Sequence, residues 1–193
     1  MRFLEQSPTL DQALLLASEG FGIEITPQMA ESVRLNLLAS EIHVVAVVHH
    51  QVIGCMLATI PLPGVLHITG TLILPAYQGM GIKRDATQHL LTSRPELQWI
   101  MGRTQSSHVW SSVRNMAKEL LPSPENVVVS DELRAMQARL FETFGQTSEI
   151  EKGRYGKPLH GSKPIHRDPQ LQTWWDSICN FEAGDAILYL ARV

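Results

Sequence analysis

The stretch LHITGTLILPAYQGMGIKRDATQHLL, residues 66–91, decides the fold, because it predicts a strand, a glycine-containing loop and a helix in succession. Residues 66–74 form the predicted strand, since β-branched side chains recur along it. Pro75 ends this strand because proline has no N–H to donate to a neighbouring strand. The loop covers residues 76–81, and the helix that follows places Ile82, Ala86 and Leu90 on one face.

The loop carries glycines at positions 79 and 81. A turn of this kind directs several backbone N–H groups toward one point beside the positive end of a helix dipole, which favours a bound phosphate or pyrophosphate. Two familiar nucleotide motifs are excluded. Arg84 stands where a dinucleotide-binding fingerprint needs its third glycine, and the Gly-Lys-Ser/Thr of a P-loop is absent.

The order of residues 73–82, ILPAYQGMGI, resembles the acyl-CoA-binding motif of the GNAT N-acyltransferases. That motif is an apolar strand followed by Gln/Arg-x-x-Gly-x-Gly/Ala at the start of a helix. Gln78 and Gly81 occupy the first two specified positions, and Lys83 stands where the third takes glycine or alanine. Lys83 has two interpretations: it adds a positive charge for the pyrophosphate, or it crowds the site and signals lost cofactor binding.

The elements predicted around the motif also follow the GNAT order over residues 1–121. Two helices, at 9–19 and from Thr26-Pro27, precede a hairpin of residues 42–48 and 52–60, with residues 49–51 as its turn. After the motif helix come a strand at 98–104 and a helix with Val109, Val113, Met116 and Leu120 on one face.

The C-terminal part, residues 122–184, departs from a minimal GNAT domain. It contains an inserted helix that begins after Ser130, a strand within 149–155, a basic segment at 152–167 and a helix that begins at Asp168. A terminal strand at 186–192 is expected to pair with the strand near residue 150. We predict one α/β domain, residues 1–193, of GNAT type, with a mixed, mostly antiparallel sheet flanked by helices.

The resemblance implies acetyl-CoA, or coenzyme A, as cosubstrate. Its pantetheine arm would pair with the backbone of the motif strand, the loop N–H groups would hold the pyrophosphate, and a backbone N–H near Leu74 would polarise the thioester carbonyl. Arg84 is a second candidate phosphate partner, with a solvated helix residue as its alternative. The residues predicted to bind cofactor are Leu72, Ile73, Leu74, Gln78, Gly79, Met80, Gly81, Ile82, Lys83 and Arg84.

Candidate side-chain catalysts are few, because the motif strand has no acidic residue. Its odd-numbered face is predicted to carry His67, Thr69, Thr71 and Ile73. His67 is the candidate base, with an ordinary strand-end histidine as the alternative. The tyrosine that serves as thiol acid in many GNAT enzymes has no counterpart in the helix after residue 106, so Tyr155 is the candidate acid, with ordinary packing as its alternative.

Composition limits the classes of partner. The 193 residues carry a net charge of −3 with 18% charged and 44% hydrophobic residues, which indicates a globular chain without a general attraction to nucleic acid or membranes. Two cysteines, no leader-like N-terminus and no apolar run of about 20 residues predict a cytoplasmic protein. The adjacent His49 and His50 point oppositely on a strand, so we predict no metal site.

The sequence therefore predicts an enzyme that transfers an acetyl group from acetyl-CoA to the amine of a small molecule or peptide. The helices at 9–40 and the late insertion would select that acceptor. The alternative is a GNAT-like domain that has lost catalysis and binds a ligand or another protein. The basic segment 152–167 is predicted as a mobile, solvated loop, with a substrate lid as a second interpretation. An exposed sheet edge or the Trp174-Trp175 pair would support a homodimer, with burial of the pair as the alternative.

Overall fold

The computed structural model describes residues 1–124 and 128–193 and divides the chain into two compact units. Unit 1 comprises Met1–Ile60 and Leu66–Leu97, and unit 2 comprises Pro61–Val65 and Gln98–Val193. The strands are β1 (Arg2–Leu4), β2 (Ile42–Val48), β3 (Gln51–Thr59), β4 (Val65–Ile73), β5 (Trp99–Thr104), β6 (Glu119–Leu121), β7 (Ile150–Glu151) and β8 (Ala186–Arg192). The α-helices are α1 (Leu10–Phe21), α2 (Pro27–Ala39), α3 (Ile82–Ser93), α4 (Ser107–Arg114), α5 (Asp131–Phe144) and α6 (Pro169–Ile178).

In unit 1, strands β1 to β4 pair in chain order, each antiparallel to the next. Because alternate side chains of a strand point to opposite faces, β2 supplies Val45 and Val47 to one face and Ala46 to the other. Helices α1 and α2 cover the first face, and α3 covers the second through Ile82. The β2–β3 hairpin turns at His49 and His50, which both have positive φ angles, of 48° and 66°.

A bulge in β4 changes which side chains share a face. Leu57 of β3 pairs with Gly70 and Ala58 pairs with Ile68, so Thr69 is the extra residue. The Thr69 hydroxyl is 3.0 Å from that of Ser40, at the end of α2. The prediction that His67, Thr69, Thr71 and Ile73 share one face is therefore wrong, because the bulge shifts the alternation by one residue. Thr71 and Ile73 share the face that α3 covers, whereas Thr69 faces α2.

Side-chain caps start four of the helices where the sequence places a capping residue. Thr9, Thr26, Ser130 and Asp168 each accept a hydrogen bond from a backbone N–H in the first turn of their helix. Proline follows two of these caps, at positions 27 and 169, where its fixed φ suits the first helical residue. Helix α1 continues past Gly20 and ends at Gly22, which has a φ angle of 66°.

In unit 2, strand β8 has partners on both edges. Strand β5 pairs antiparallel with residues 187–192, and β6 and β7 share the opposite edge, pairing with residues 190–192 and 186–187. Helix α5 packs its apolar face on β5 and β8, and α4 packs on α6 through Trp110, whose ring centroid is 4.9 Å from that of Trp174. Trp175 is buried, and its indole N–H donates to the Gln105 carbonyl at 3.2 Å.

Two sequence predictions in unit 2 are corrected by the strand pairing. The helix expected to carry Met116 and Leu120 ends at Arg114, because Leu120 lies in β6 and pairs with Ala191. The strand expected within 149–155 is confined to Ile150–Glu151. Its pairing with the terminal strand is confirmed, as is the mixed α/β class, and the strand pairs within each unit are antiparallel. In the part of the chain that the structure describes, no helix is long and apolar enough to cross a membrane.

The turn before β8 depends on the buried Asp185 carboxylate. It accepts hydrogen bonds from the Lys152 ammonium at 2.8 Å, from the Gly153 N–H at 2.8 Å and from the Asn180 N–H at 3.0 Å. Burial alone would raise the pKa of Asp185, but these donors hold that pKa below its usual value. The carboxylate thus joins both ends of the segment between β7 and β8.

We expect Asp185→Ala to lower the free energy of unfolding by about 3 kcal/mol, because it removes a buried carboxylate that accepts three hydrogen bonds, one of them from an ammonium group. Urea denaturation followed by circular dichroism measures this change. Asp131→Ala, at an exposed position in the first turn of α5, is the matched control and should cost less than about 1 kcal/mol. Equal midpoints for the two variants would contradict the anchoring role of Asp185.

Candidate functional site

The loop between β4 and α3 turns at two glycines. Gly79 and Gly81 have φ angles of 77° and 80°, in the left-handed region that favours glycine. A Cβ at Gly79 would have no heavy atom within 4 Å, whereas one at Gly81 would lie 2.9 Å from a terminal nitrogen of Arg84. The backbone on the Gly79 side is therefore open to a ligand, as a phosphate-binding loop requires.

The N-terminus of α3 differs from most of the helices in having no side-chain cap. Its N-cap residue is Gly81, which has no side chain that could accept a hydrogen bond from the first turn. The positive end of the α3 dipole therefore has no capping side chain at this point, and it favours an anion there. This arrangement fits the pyrophosphate of an acyl-CoA.

Two cations lie in the first turn of α3. The Arg84 guanidinium is 2.7 Å from an oxygen of Asp85 and lies against Gly81, so it stands beside the loop. Lys83 is half-buried, and burial lowers the pKa of its ammonium group to about 7. A bound pyrophosphate would favour the charged form of Lys83, so protonation and anion binding are linked at this position.

The Gln78 side chain contacts protein. Its amide nitrogen donates to the carbonyl of Gly20 and to the carbonyl of Ile73, both at 3.0 Å. The backbone N–H of Gln78 donates to the Pro75 carbonyl at 3.2 Å. Gln78, predicted from the motif as a cofactor-binding residue, therefore has both N–H groups of its amide on backbone oxygens, and these contacts hold the start of the loop.

The hydrogen bonds between β3 and β4 decide which backbone groups of β4 point toward β3. The Leu74 N–H donates to the Ile53 carbonyl at 2.9 Å, so it is already used. Because an antiparallel pair bonds alternate residues, Leu72 also points toward β3, whereas Thr71 and Ile73 point away. In the described residues, the Thr71 hydroxyl oxygen is buried without a hydrogen-bond partner. Of the predicted strand residues, Ile73 and not Leu74 directs its N–H away from β3.

His67 and Tyr155 lie in different units. His67, in unit 1, is buried beside Thr59, whose hydroxyl is 3.5 Å from its Nδ1 atom. Tyr155, in unit 2, is half-buried, and its backbone N–H donates to the Gly184 carbonyl at 2.9 Å. Burial raises the pKa of the Tyr155 phenol, and Arg103 opposes this rise. All the predicted cofactor-binding residues lie in unit 1 with His67.

A groove of about 760 Å³ follows the exposed side of α2 in unit 1. Its lining residues are Pro27, Gln28, Glu31, Ser32, Leu35, Asn36 and Ala39. The Asn36 amide nitrogen would be 3.4 Å from a Cβ at Gly70, so this groove approaches β4 one residue after its bulge. Of the two helices expected to select an acceptor, α2 therefore lines a groove that reaches the motif strand.

The basic segment 152–167, predicted as a mobile, solvated loop, is exposed at many positions and is also hydrogen-bonded to the rest of unit 2. The Leu159 N–H donates to the Gln105 side chain at 2.7 Å, and Lys163 forms an ion pair with Asp176 at 2.7 Å. His108 Nε2 is 2.9 Å from the Ile165 carbonyl, and its ring centroid is 5.2 Å from that of His166. No pattern in the sequence of residues 105–108 predicts these contacts.

Sequence reasoning missed two residues near the motif. The sequence groups Thr71 with Thr69 and His67 on one face, whereas the structure separates Thr71 from Thr69, since a bulge leaves no clear mark in a sequence. The helix predicted at 9–19 stops before Gly20, although a glycine inside a helical pattern often has a packing reason. A Cβ at Gly20 would lie 3.0 Å from the Ile73 carbonyl oxygen, so α1 rests directly on the end of β4.

We expect the stability of the protein to fall as the pH decreases below about 6.5, the usual pKa of histidine. Burial, and then the neighbouring His108, lower the pKa of His166 in the folded protein, so the unfolded chain binds this proton more readily. Arg167 also lowers this pKa, whereas the negative charge of the Asp168 carboxylate opposes the decrease. Melting temperatures measured between pH 5.5 and 7.5 test the expected rise with pH.

The variant His166→Gln should show a smaller pH dependence than the wild-type protein over this interval. His50→Asn, in the exposed β2–β3 turn, is the control and should behave like wild type, because asparagine tolerates a positive φ. An unchanged slope in His166→Gln would show that another group carries the pH dependence.

No protein-family model matches this sequence, and no curated protein is significantly similar to it. Solved structures do match. The ribosomal-protein-S18-alanine N-acetyltransferase from Escherichia coli superposes with a TM-score of 0.53 at 12% identity, covering 100% of this chain and 93% of that chain. An aminoglycoside 6'-N-acetyltransferase complexed with coenzyme A has a TM-score of 0.51 at 14% identity, covering 100% and 97%. The chain therefore has the fold of the GNAT acetyltransferases.

Proposed function

We propose that this chain is an acyl-CoA-dependent N-acyltransferase, and that it transfers an acetyl group from acetyl-CoA to an amine in a ternary complex. The observation that carries the proposal is the uncapped N-terminus of α3, reached through two positive-φ glycines at the end of β4. The fold supports it, since a GNAT-fold aminoglycoside acetyltransferase of similar structure was solved with coenzyme A.

The loop residues would hold the pyrophosphate. The N–H groups of residues 79–83 are in the part of the backbone that turns into α3, and the helix dipole adds a positive potential there. Arg84 stands beside the loop, and Lys83 supplies a second positive charge when protonated. Gly79 leaves the approach open, because a side chain at that position would project into free space.

The pantetheine arm would extend along β4 and use the backbone N–H groups that point away from β3. These groups belong to Thr71 and Ile73, because Leu74 is hydrogen-bonded to Ile53 of β3 and alternate residues of a strand point in opposite directions. We propose that one of these N–H groups, and not that of Leu74, donates to the thioester carbonyl oxygen as negative charge develops on it. One such donor contributes roughly 3 kcal/mol to the stabilisation of a transition state.

Acetyl-CoA supplies an activated acyl group that a neutral amine attacks directly. The α2 groove would hold the amine-bearing molecule, with the Asn36 amide beside the bulge of β4. His67 is the residue of β4 whose chemistry suits proton removal. The enzyme's remaining contribution is positioning of the two substrates.

A second candidate function is a GNAT-fold module that binds a ligand without turnover. Lys83 favours it, because a half-buried lysine occupies the position where the motif takes glycine or alanine. The absence of an acidic residue from the sequence of β4 also favours it. Turnover of an amine with acetyl-CoA distinguishes the enzyme from the binding module.

The first test is thermal unfolding with and without acetyl-CoA. A ligand at about one hundred times its Kd adds about 2.7 kcal/mol of stability, which for a domain of this size raises Tm by roughly 5–10 °C. We expect Gly79→Val to abolish this rise, because the new side chain blocks the loop. An amine screen with a thiol-detecting assay then measures turnover.

Gly145→Val is the matched control for backbone strain. Gly145 also has a positive φ angle, of 62°, and open space around its Cβ position, but it ends α5. Both variants should therefore lose stability, and only Gly145→Val should keep the shift with acetyl-CoA. A wild-type protein whose Tm does not change with millimolar acetyl-CoA would overturn the proposed function.

Lys83 makes a separate prediction about pH. Because its pKa is about 7 in the free protein and a bound pyrophosphate stabilises the charged form, affinity for coenzyme A should fall as the pH rises from 7 to 9. Titration calorimetry of wild type and Lys83→Met measures this slope, which the variant should lack. Lys157→Met removes an exposed lysine of unit 2 and should keep the slope. If the affinity of Lys83→Met for coenzyme A also falls as the pH rises, another group causes the effect.

A further inference from the structure

The Gln78 carboxamide lies between two backbone carbonyls of unit 1. Its nitrogen donates to the Gly20 oxygen at 3.0 Å and to the Ile73 oxygen at 3.0 Å. Because both partners are acceptors, only the NH₂ end of the amide can satisfy them, and both of its hydrogens are used. One carbonyl belongs to the last turn of α1 and the other to the last residue of β4.

The end of α1 lies unusually close to β4 at this point. A Cβ at Gly20 would be 3.0 Å from the Ile73 oxygen and 3.6 Å from its nitrogen, so any larger residue would force α1 and β4 apart by a few tenths of an ångström. After this contact α1 closes on itself: the Ile23 N–H donates to the Ser18 carbonyl at 3.1 Å, and the Ser18 hydroxyl donates to the Ile23 carbonyl at 2.7 Å. The helix end is thus a fixed structure held against Ile73.

The same residue also fixes the loop. Gln78 directly precedes Gly79, and its backbone N–H is bonded to Pro75 at 3.2 Å. Its backbone and side chain together therefore set the direction in which residues 79–82 leave the strand. A displacement of these residues would be transmitted to Gly20 through the Gln78 side chain, because the two hydrogen bonds share one rigid amide group.

We propose that Gln78 is a positioning residue that joins the end of α1 to the cofactor loop, so that binding of acyl-CoA to the loop orders the end of α1. Gln78 does this with two N–H donors and without touching the phosphates. This inference rests on the proposed function, because it needs acetyl-CoA as the ligand of the loop. Its consequence is that the acceptor-side helices are set in place when the cosubstrate is bound.

Gln78→Met tests the role of the donors, because methionine keeps the length and neutrality of glutamine and loses both N–H groups. Gln78→Arg restores paired donors. We expect Gln78→Met to weaken acetyl-CoA binding about tenfold in titration calorimetry and Gln78→Arg to bind within about threefold of wild type. Gln88→Met, an exposed position of α3, is the matched control and should leave the Kd unchanged.

Hydrogen exchange distinguishes this coupling from a purely local structural role of Gln78, which would leave the protection of α1 by acetyl-CoA unchanged. In wild type we expect acetyl-CoA to slow exchange of the amides at the end of α1, above all that of Ile23. In Gln78→Met this protection should disappear, even at acetyl-CoA concentrations that saturate the variant. A residue that only stabilises the loop would lower affinity and still show the protection at saturation.

The outcomes separate the two proposals. Wild type that binds no acetyl-CoA overturns the proposed function and the coupling with it. If wild type binds acetyl-CoA and Gln78→Met matches it in Kd and in amide protection, only the coupling is overturned. The coupling is also overturned if Gln78→Arg loses as much affinity and protection as Gln78→Met. If Gln78→Met does not fold, Gly20→Ala replaces it: its Cβ moves α1 away from Ile73, and the protection should again be lost.

Discussion

The hydrogen-bond ladder between β3 and β4 constrains the whole candidate site. Alternate residues of β4 form hydrogen bonds to β3, among them Leu74, whose N–H donates to the Ile53 carbonyl. The backbone groups of Thr71 and Ile73 therefore point away from β3. The bulge at Thr69 then resets which side chains share a face with those groups. The positions that can face a ligand along β4 follow from these two facts, whatever the side chains are.

The end of this strand is also where the loop, α1 and α3 meet. Gly20 permits the approach of α1, Gln78 joins it to Ile73, and Gly79 and Gly81 turn the chain into an uncapped helix. Each of these residues acts on the backbone: Gly20 allows a close contact, Gln78 donates to a carbonyl, and the two glycines adopt positive φ angles. A site made in this way would bind a ligand through main-chain N–H groups, which depend little on side chains such as Lys83.

Unit 2 shows a different kind of construction, in which buried polar groups hold irregular chain. Asp185 joins the two ends of the segment before β8, and Glu151 receives the Arg103 guanidinium at 2.7 Å. The basic segment 152–167 is anchored by Gln105, Asp176 and His108 instead of being dispersed in solvent. Its cations are therefore partly committed to structural contacts, which leaves less of its charge for a substrate.

The sequence by itself determined the local features. Thr26-Pro27, Ser130 and Asp168 start helices at the residues predicted, because a cap and its N–H partner lie within one turn. The motif strand, its glycine turn and the buried face of α3 were likewise predicted from spacing alone. What only the tertiary structure decided are pairings between distant segments: the bulge at Thr69, Leu120 in a strand and not a helix, and Gln78 on Gly20. These depend on which strand or helix lies alongside, and no periodicity within one segment records its neighbour.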